Sequence, residues 1–292
     1  MKRILITGKN SYVGNSLEKW LEQYPEQYQV DKISLRTEDW KQVDFSVYDS
    51  IVHVAGIAHV STDPKMEEMY YRVNRDLTIE VAKKAKKEKV KQFIFMSSII
   101  VYGKRSTENG VINKGTVPIP DNFYGKSKLE AEEKLNEIKS ENFKVAIIRP
   151  PMIYGKDSKG NYPKLARLAR ITPIFPDFPN KRSVLYIDNL SELLKLIIEN
   201  EEQGTFFPQN KEYVRTSELV TLIAEAHNKT LIKTKIFNPF ILLLIKYSGL
   251  FNKVFGNLLY SQEMSLYKED YYISDLRKSI ENTELECRDF NV

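Results

Sequence analysis

Apolar positions along this chain fall into two rhythms. Short, nearly unbroken runs read as strands: Arg3-Ile4-Leu5-Ile6-Thr7, Lys32-Ile33-Ser34-Leu35, Ser50-Ile51-Val52-His53-Val54, Gln92-Phe93-Ile94-Phe95-Met96 and Val145-Ala146-Ile147-Ile148. Between them the spacing becomes helical, as from Tyr71 to Lys87, where Val73, Leu77, Val81 and Ala85 share one face. Apolar strands alternating with helices predict a parallel sheet covered on both faces. From Pro150 the texture changes. Prolines at 150, 151, 163, 173, 176 and 179 break the pattern, and periodic segments return at 183–199 and 216–226. The expected organisation is a doubly wound α/β sheet over residues 1–150. Residues 151–292 would form a smaller, interleaved region, with a segment at about 183–200 returning to the sheet.

Composition narrows the function classes. With 42% hydrophobic and 28% charged residues over 292 positions, disorder and coiled coil are excluded as main themes. Lys and Arg exceed Asp and Glu by 44 to 39. That excess is too thin for a nucleic-acid binder, though it suits small anionic ligands. The single cysteine, Cys287, excludes an internal disulfide framework, and three scattered histidines (His53, His59, His227) argue against a metal site. Met1 to Thr7 reads as a strand meeting a glycine rather than a signal peptide, so a cytoplasmic protein is expected. The most apolar stretch, Phe240 to Ile245, ends at Lys246, short of the roughly 20 residues a spanning helix needs. It leaves peripheral membrane contact open.

Candidate chemistry begins where the first strand ends, at Thr7-Gly8-Lys9-Asn10-Ser11-Tyr12-Val13-Gly14, followed by a helical segment from Asn15 to Leu21. A glycine turn running from a strand into a helix lets backbone approach a pyrophosphate, and the helix amino terminus offers N–H groups to it. Ser11 stands where a third glycine often sits. At the end of the second strand an NAD site would carry an acidic residue for the ribose hydroxyls. Here Arg36 follows Leu35, with Glu38 and Asp39 slightly beyond. Arg36 is either an exposed strand-end charge or a partner for a 2′-phosphate, and the second reading favours NADP.

Further along, Tyr124 and Lys128 lie four residues apart and would share a helix face. An ammonium beside a phenol, with a cofactor's positive charge nearby, would lower the phenol's pKa and let it move protons near neutral pH. Alone, such a pair is the pattern of any solvated helix face. Ser97-Ser98 follows the fourth apolar strand, where open α/β sheets place their ligands, and a serine there can hold a substrate oxygen next to the phenol.

Taken in order, these pieces resemble the extended short-chain dehydrogenase/reductase family of sugar-nucleotide epimerases, dehydratases and ketoreductases. They are the glycine turn, Asp49-x-x-Val52-His53-x-Ala55-Gly56, Asn74 with Thr78, and Ser97-Ser98-x-x-Val101-Tyr102-Gly103. Tyr124-x-x-x-Lys128, Arg149-Pro150-Pro151-Met152-Ile153-Tyr154-Gly155, and Arg182 before Tyr186-Ile187-Asp188-Asn189-Leu190 complete the set. The resemblance implies a Rossmann-type fold and NAD or NADP as cofactor. Ser98 and Tyr124 would be catalytic, with Lys128 as modulator and ribose contact. Gly8, Ser11, Tyr12, Val13 and Gly14 would hold the pyrophosphate, with Ala55 and Gly56 flanking the cofactor. Asn74 would position a strand end, and Pro151 the nicotinamide. Arg182 and Asn161 would bind the diphosphate of a nucleotide-sugar substrate.

Within the family's reactions, a 4,6-dehydratase carries a carboxylate pair beside the serine, and Ile99-Ile100 stand there instead. Met152 replaces the asparagine of some hexose 4-epimerases. Lys156-Asp157-Ser158-Lys159-Gly160-Asn161-Tyr162 with Asn180-Lys181-Arg182-Ser183 resembles 4-epimerases or 4-ketoreductases acting on nucleotide-linked N-acetylated deoxysugars. A non-catalytic dinucleotide sensor, or a reductase of a small ketone, is the alternative. Helices near 71–87 and 129–140 would form the family's homodimer face.

Overall fold

The computed structural model describes residues 1–57, 63–107 and 109–285; His59 and Cys287 lie outside them. Six strands, β1 (Lys2–Thr7), β2 (Tyr28–Ile33), β3 (Ser50–His53), β4 (Gln92–Met96), β5 (Lys144–Ile148) and β6 (Gly204–Phe206), form one sheet. Its order is β2-β1-β3-β4-β5-β6, and every neighbouring pair is parallel. Strand order reverses between β1 and β3. That reversal opens a crevice at the carboxyl ends of the strands, where ligands of such sheets bind.

The apolar runs become fully buried strands because alternate residues feed two separate cores. Ile4 and Ile6 of β1, Val52, Ile94, Met96, Ala146 and Ile148 face α1 (Tyr12–Leu21) and its neighbours. Leu5, Ile51, Phe93, Phe95, Val145 and Ile147 face the opposite layer. That layer is built from a helical run over 67–87, containing α2 (Glu67–Tyr70) and α3 (Leu77–Lys87), and from α4 (Phe123–Ile138). Between α2 and α3 the turns of Tyr71–Asp76 widen into a π-helix.

Beyond β5 the chain builds α5 (Asn161–Ile171) and α6 (Ile187–Glu199), then α7 (Thr216–Ala226), α8 (Asn238–Tyr247), α9 (Gly249–Phe255) and α10 (Leu276–Leu285). Helix α6 is buried almost all round, and Trp20 of α1 donates to its Glu192 at 2.8 Å. It caps the first core before the chain re-enters the sheet as β6. Short parallel pairs tie the remainder together: Met152–Tyr154 with Val184–Tyr186, Ile174–Pro176 with Ile232–Thr234, and Val111–Ile112 with Leu259–Tyr260.

Candidate active site

The turn after β1 is shaped to bring backbone close to a ligand. Gly8 has φ +104°, and a Cβ there would come within 3.0 Å of the Ala55 nitrogen at the end of β3. A side chain would therefore fill the crevice and strain the turn. Gly8 and Lys9 both donate their N–H to the Ile33 carbonyl, at 2.9 and 3.0 Å, which locks the turn to the end of β2. Ser11 caps α1: its Oγ accepts the Gly14 N–H at 3.0 Å. A Cβ on Gly14 would meet that oxygen at 2.5 Å, so Gly14 is what allows serine at this place. One helix-end donor is thereby used, and the N–H groups of Tyr12 and Val13 remain turned out of the first turn. The Tyr12 ring points elsewhere, with its hydroxyl buried against Gly155. Arg36 is exposed, three residues past β2, on the same edge as the glycine turn.

Asn74 governs the next piece of the crevice. The π-turn aims its side chain at the loop after β3, where Oδ1 accepts the Ile57 N–H at 2.8 Å and Nδ2 donates to the Ile57 carbonyl at 3.2 Å. Gly56 is held so that a Cβ would lie 2.9 Å from Asn74 Oδ1 and 3.2 Å from Lys128 Nζ. Beneath it His53 is a packing residue. Thr78 donates its hydroxyl proton to the Asn74 carbonyl at 2.8 Å, so it accepts from His53 Nε2 at 3.0 Å, and Thr7 donates to Nδ1 at 2.8 Å. Burial first, and Lys128 second, push His53 down to about 3, so it is neutral.

Ser98, Tyr124 and Lys128 converge beside Gly56. Asn122 caps α4 by accepting the Gly125 N–H at 2.9 Å. A Cβ on Gly125 would collide with the Ile100 carbonyl at 2.7 Å, so glycine is what lets the first turn of α4 abut the loop after β4. That contact sets the Tyr124 phenol beside the Ser98 hydroxyl, whose influence lowers the phenol's pKa against burial. One turn later Lys128 donates to the Met96 carbonyl at 2.8 Å, with its ammonium 4.5 Å from the Phe95 ring. The expectation of a lowered phenol pKa is not met in the protein alone. Burial pushes Tyr124 up to about 12, the Ser98 hydroxyl only partly opposing it, and burial pushes Lys128 down to about 8. Without a further positive charge the phenol is a proton donor rather than a base.

A buried ion pair below the site escapes a reading of the sequence. Glu132, a turn beyond Lys128, receives Arg149 Nε at 3.1 Å on each oxygen, a further bond from Nη2, and the Ser97 hydroxyl. Arg149 Nη1 donates to the Tyr102 hydroxyl at 2.6 Å. The pair clamps α4 to the ends of β4 and β5, fixing both Ser98 and Lys128. The only sequence signal was the i, i+4 spacing of Lys128 and Glu132. Tyr154 proves a core aromatic, accepting from Asn210 at 2.8 Å and bonded to Ser279.

Arg182 sits half-buried in a short bridge between Val214 and Leu258, where its Nη1 donates to the Gly256 carbonyl at 2.8 Å. It pairs with no carboxylate among the described residues, and burial pushes it down to about 10. A guanidinium half out of water and without a counter-ion is a seat for an anion. Tyr260, two residues beyond Leu258, joins this region to the ion pair by donating to the Arg149 carbonyl at 2.9 Å. Asn161 is exposed in the first turn of α5, after Gly160 at φ +98°. Pro151 is buried directly after β5, and the Pro150 carbonyl accepts the Ile99 N–H at 2.9 Å.

A glycine-lined cradle at the strand-order switch, with serine, tyrosine and lysine converging beside it, defines an enzyme of nicotinamide chemistry. The chain belongs to the NAD dependent epimerase/dehydratase family, whose model matches residues 4–208. It is 31% identical over 253 residues to a UDP-glucose 4-epimerase of Vibrio cholerae, covering 78% of this chain and 76% of that one. An N-acetyl-alpha-D-glucosaminyl-diphospho-ditrans,octacis-undecaprenol 4-epimerase of Escherichia coli O157:H7 is 29% identical, over 70% of this chain and 62% of its own length. The fold is shared with a UDP-glucuronic acid 4-epimerase of Bacillus cereus solved with NAD, at a TM-score of 0.75 and 17% identity over 99% of this chain and 100% of that one. A dTDP-4-dehydrorhamnose reductase of Bacillus anthracis, solved with NADP, gives 0.70 at 18% identity, over 98% of this chain and 100% of that one.

Proposed function

We propose that this protein is an NAD(P)-dependent 4-epimerase of a nucleotide-diphosphate sugar, with Tyr124 as its acid/base. The observation that carries the reading is the clamped trio of Ser98, Tyr124 and Lys128 facing the Gly8–Ala55 crevice. The cradle fits a dinucleotide: Gly8, Tyr12, Val13 and Gly14 would hold its pyrophosphate, helped by the Ser11 cap, with Ala55 and Gly56 against the adjoining ribose. Lys128, a hand's reach from Gly56, would bond the nicotinamide ribose, and Pro151 would flank the ring. When bound, the nicotinamide accepts and returns a hydride and, in its oxidised form, brings a positive charge to the site.

That charge is what the phenol lacks. Ser98 orients the sugar hydroxyl, and Tyr124 takes its proton as the C4–H bond breaks, leaving a 4-keto sugar. After the sugar turns its other face, Tyr124 gives the proton back to the oxygen while C4 is reduced. Ile99, buried beside the serine, offers no acid for dehydration. Met152 bears on which sugar is accepted, not on this proton path. We assign Arg182 to the substrate diphosphate, with Asn161 as a further contact, and infer a homodimer across α3 and α4.

Calorimetry of UDP binding tests the substrate assignment. Arg182→Ala is expected to weaken UDP by about thirty- to a hundred-fold, or about 2–3 kcal/mol, through loss of a two-bond phosphate contact. Dinucleotide affinity should be unchanged. If wild type binds no nucleoside diphosphate at millimolar concentration, the nucleotide-sugar reading falls and a small-ketone reductase takes its place.

A further inference from the structure

One exposed apolar surface among the described residues has no part in the chemistry above. Helix α8 buries Ile241 in the main core, and α9 seats Phe255 against Phe175 and Phe178 with ring centroids 5.9 and 5.8 Å apart. The outward side of this hairpin is apolar as well. Phe240, Leu242, Leu243, Tyr247 and Leu250 expose between 58% and 82% of their surface. The two-stranded sheet that precedes α8 in the chain also exposes apolar residues, with Ile174 and Ile232 side by side in register. A soluble protein rarely leaves so many large apolar side chains together in water.

Along the segment that builds the patch the charges carry one sign. From Ala226 to Gln262 the chain has five lysines and no aspartate or glutamate. Lys233, Lys235, Lys246 and Lys253 are all exposed. Adjacent α5 repeats the pattern, with exposed Lys164, Arg167 and Arg170, no acid, and an outward Ile171. The acids that bracket this stretch are Glu225, which accepts from Arg277 Nη1 at 2.9 Å, and Glu263, while Asp177, beyond α5, accepts the Ser217 hydroxyl at 3.1 Å. An apolar face ringed by cations matches the two layers of an anionic bilayer surface, acyl boundary and phosphate headgroups. A second copy of the chain would instead bring like charge against like. No helix among the described residues is long and apolar enough to cross a membrane, so the hairpin can only lie in the interface.

We propose that the α8–α9 hairpin docks the protein onto anionic phospholipid bilayers. The hairpin runs up to the candidate diphosphate seat, since α9 is capped by Gly256, whose carbonyl accepts from Arg182. Membrane docking would therefore place that seat at the bilayer surface. The proposal does not rest on the assigned reaction, because vesicle binding is read without turnover.

Co-sedimentation of the full chain with vesicles decides it. Wild type should pellet with vesicles of phosphatidylcholine plus phosphatidylglycerol, and much less with phosphatidylcholine alone or at raised salt. Leu242→Asp with Leu243→Asp, at exposed positions, should weaken pelleting by about tenfold or more, with circular dichroism and dinucleotide affinity unchanged. Lys246→Glu with Lys253→Glu should remove the preference for phosphatidylglycerol while keeping the fold. Wild type remaining in the supernatant would overturn the proposal, as would undiminished pelleting of the double aspartate variant. Size-exclusion showing that this variant only splits an oligomer, with no vesicle binding by wild type, would assign the face to self-association instead.

Discussion

Lys128 carries opposing demands. The residue is 5% exposed and its ammonium donates to one backbone carbonyl, so burial disfavours its charge and pushes its pKa down to about 8 from 10.5. The unfolded chain keeps that proton up to its ordinary value, so below about pH 8 the folded state bears the whole cost, about 3 kcal/mol at 1.36 kcal/mol per unit. As pH rises from about 8 to 10.5 the unfolded state binds more protons than the native one, and stability from this group increases. Urea unfolding of wild type and Lys128→Met across that window should show their difference shrinking as pH rises. A constant difference would mean that Lys128 is not held desolvated. At this scale Ser98, Tyr124 and Lys128 were legible from their order and spacing. Glu132 was not: within Leu129-Glu130-Ala131-Glu132-Glu133 it looks like one more solvated charge. Only the approach of Arg149 from β5 makes a buried carboxylate tolerable there.

Among the elements, β4 has the bounds its apolar run implies, whereas β2 lies earlier than the run 32–35 suggested, at Tyr28–Ile33. It is an edge strand in which Tyr28 and Val30 pack on one core and Ile33 on the other, with Gln29, Asp31 and Lys32 between them, so no continuous apolar signal marks it. Strand β6, three residues long, carries no readable period at all. The segment from Tyr71 read as plain helix. Its first turns are π-helical, and that widening is what carries Asn74 toward Ile57, a local departure of the kind found at functional sites. The earlier end of β2 leaves Arg36 in an exposed loop rather than on the strand tip. A single exposed phosphate contact there should favour NADP over NAD by about tenfold, about 1.4 kcal/mol. Titrating both dinucleotides against wild type and Arg36→Ala checks this. Equal ratios in the two proteins would make Arg36 a bystander.

At the scale of the whole molecule, the doubly wound parallel sheet was legible because buried strands and covering helices alternate visibly along the first half. The arrangement of the second half was not, since prolines and short strand pairs hide how α6 packs on α1 and how Tyr260 reaches back to the Arg149 carbonyl. Those long-range ties hold the candidate diphosphate seat and the Ser98–Tyr124–Lys128 trio in one body. The proposed chemistry is a single reaction at one carbon. The most direct measurement follows UDP-sugars deuterated at C4, N-acetylated deoxysugars included, by NMR, with catalytic dinucleotide. Wild type should yield the C4 epimer with deuterium still on C4. Tyr124→Phe should lose at least about a hundred-fold in rate, the usual share of a positioned acid/base, while binding dinucleotide within a few-fold of wild type. Near wild-type turnover by Tyr124→Phe would contradict the account, and so would a product formed only with stoichiometric consumption of reduced cofactor.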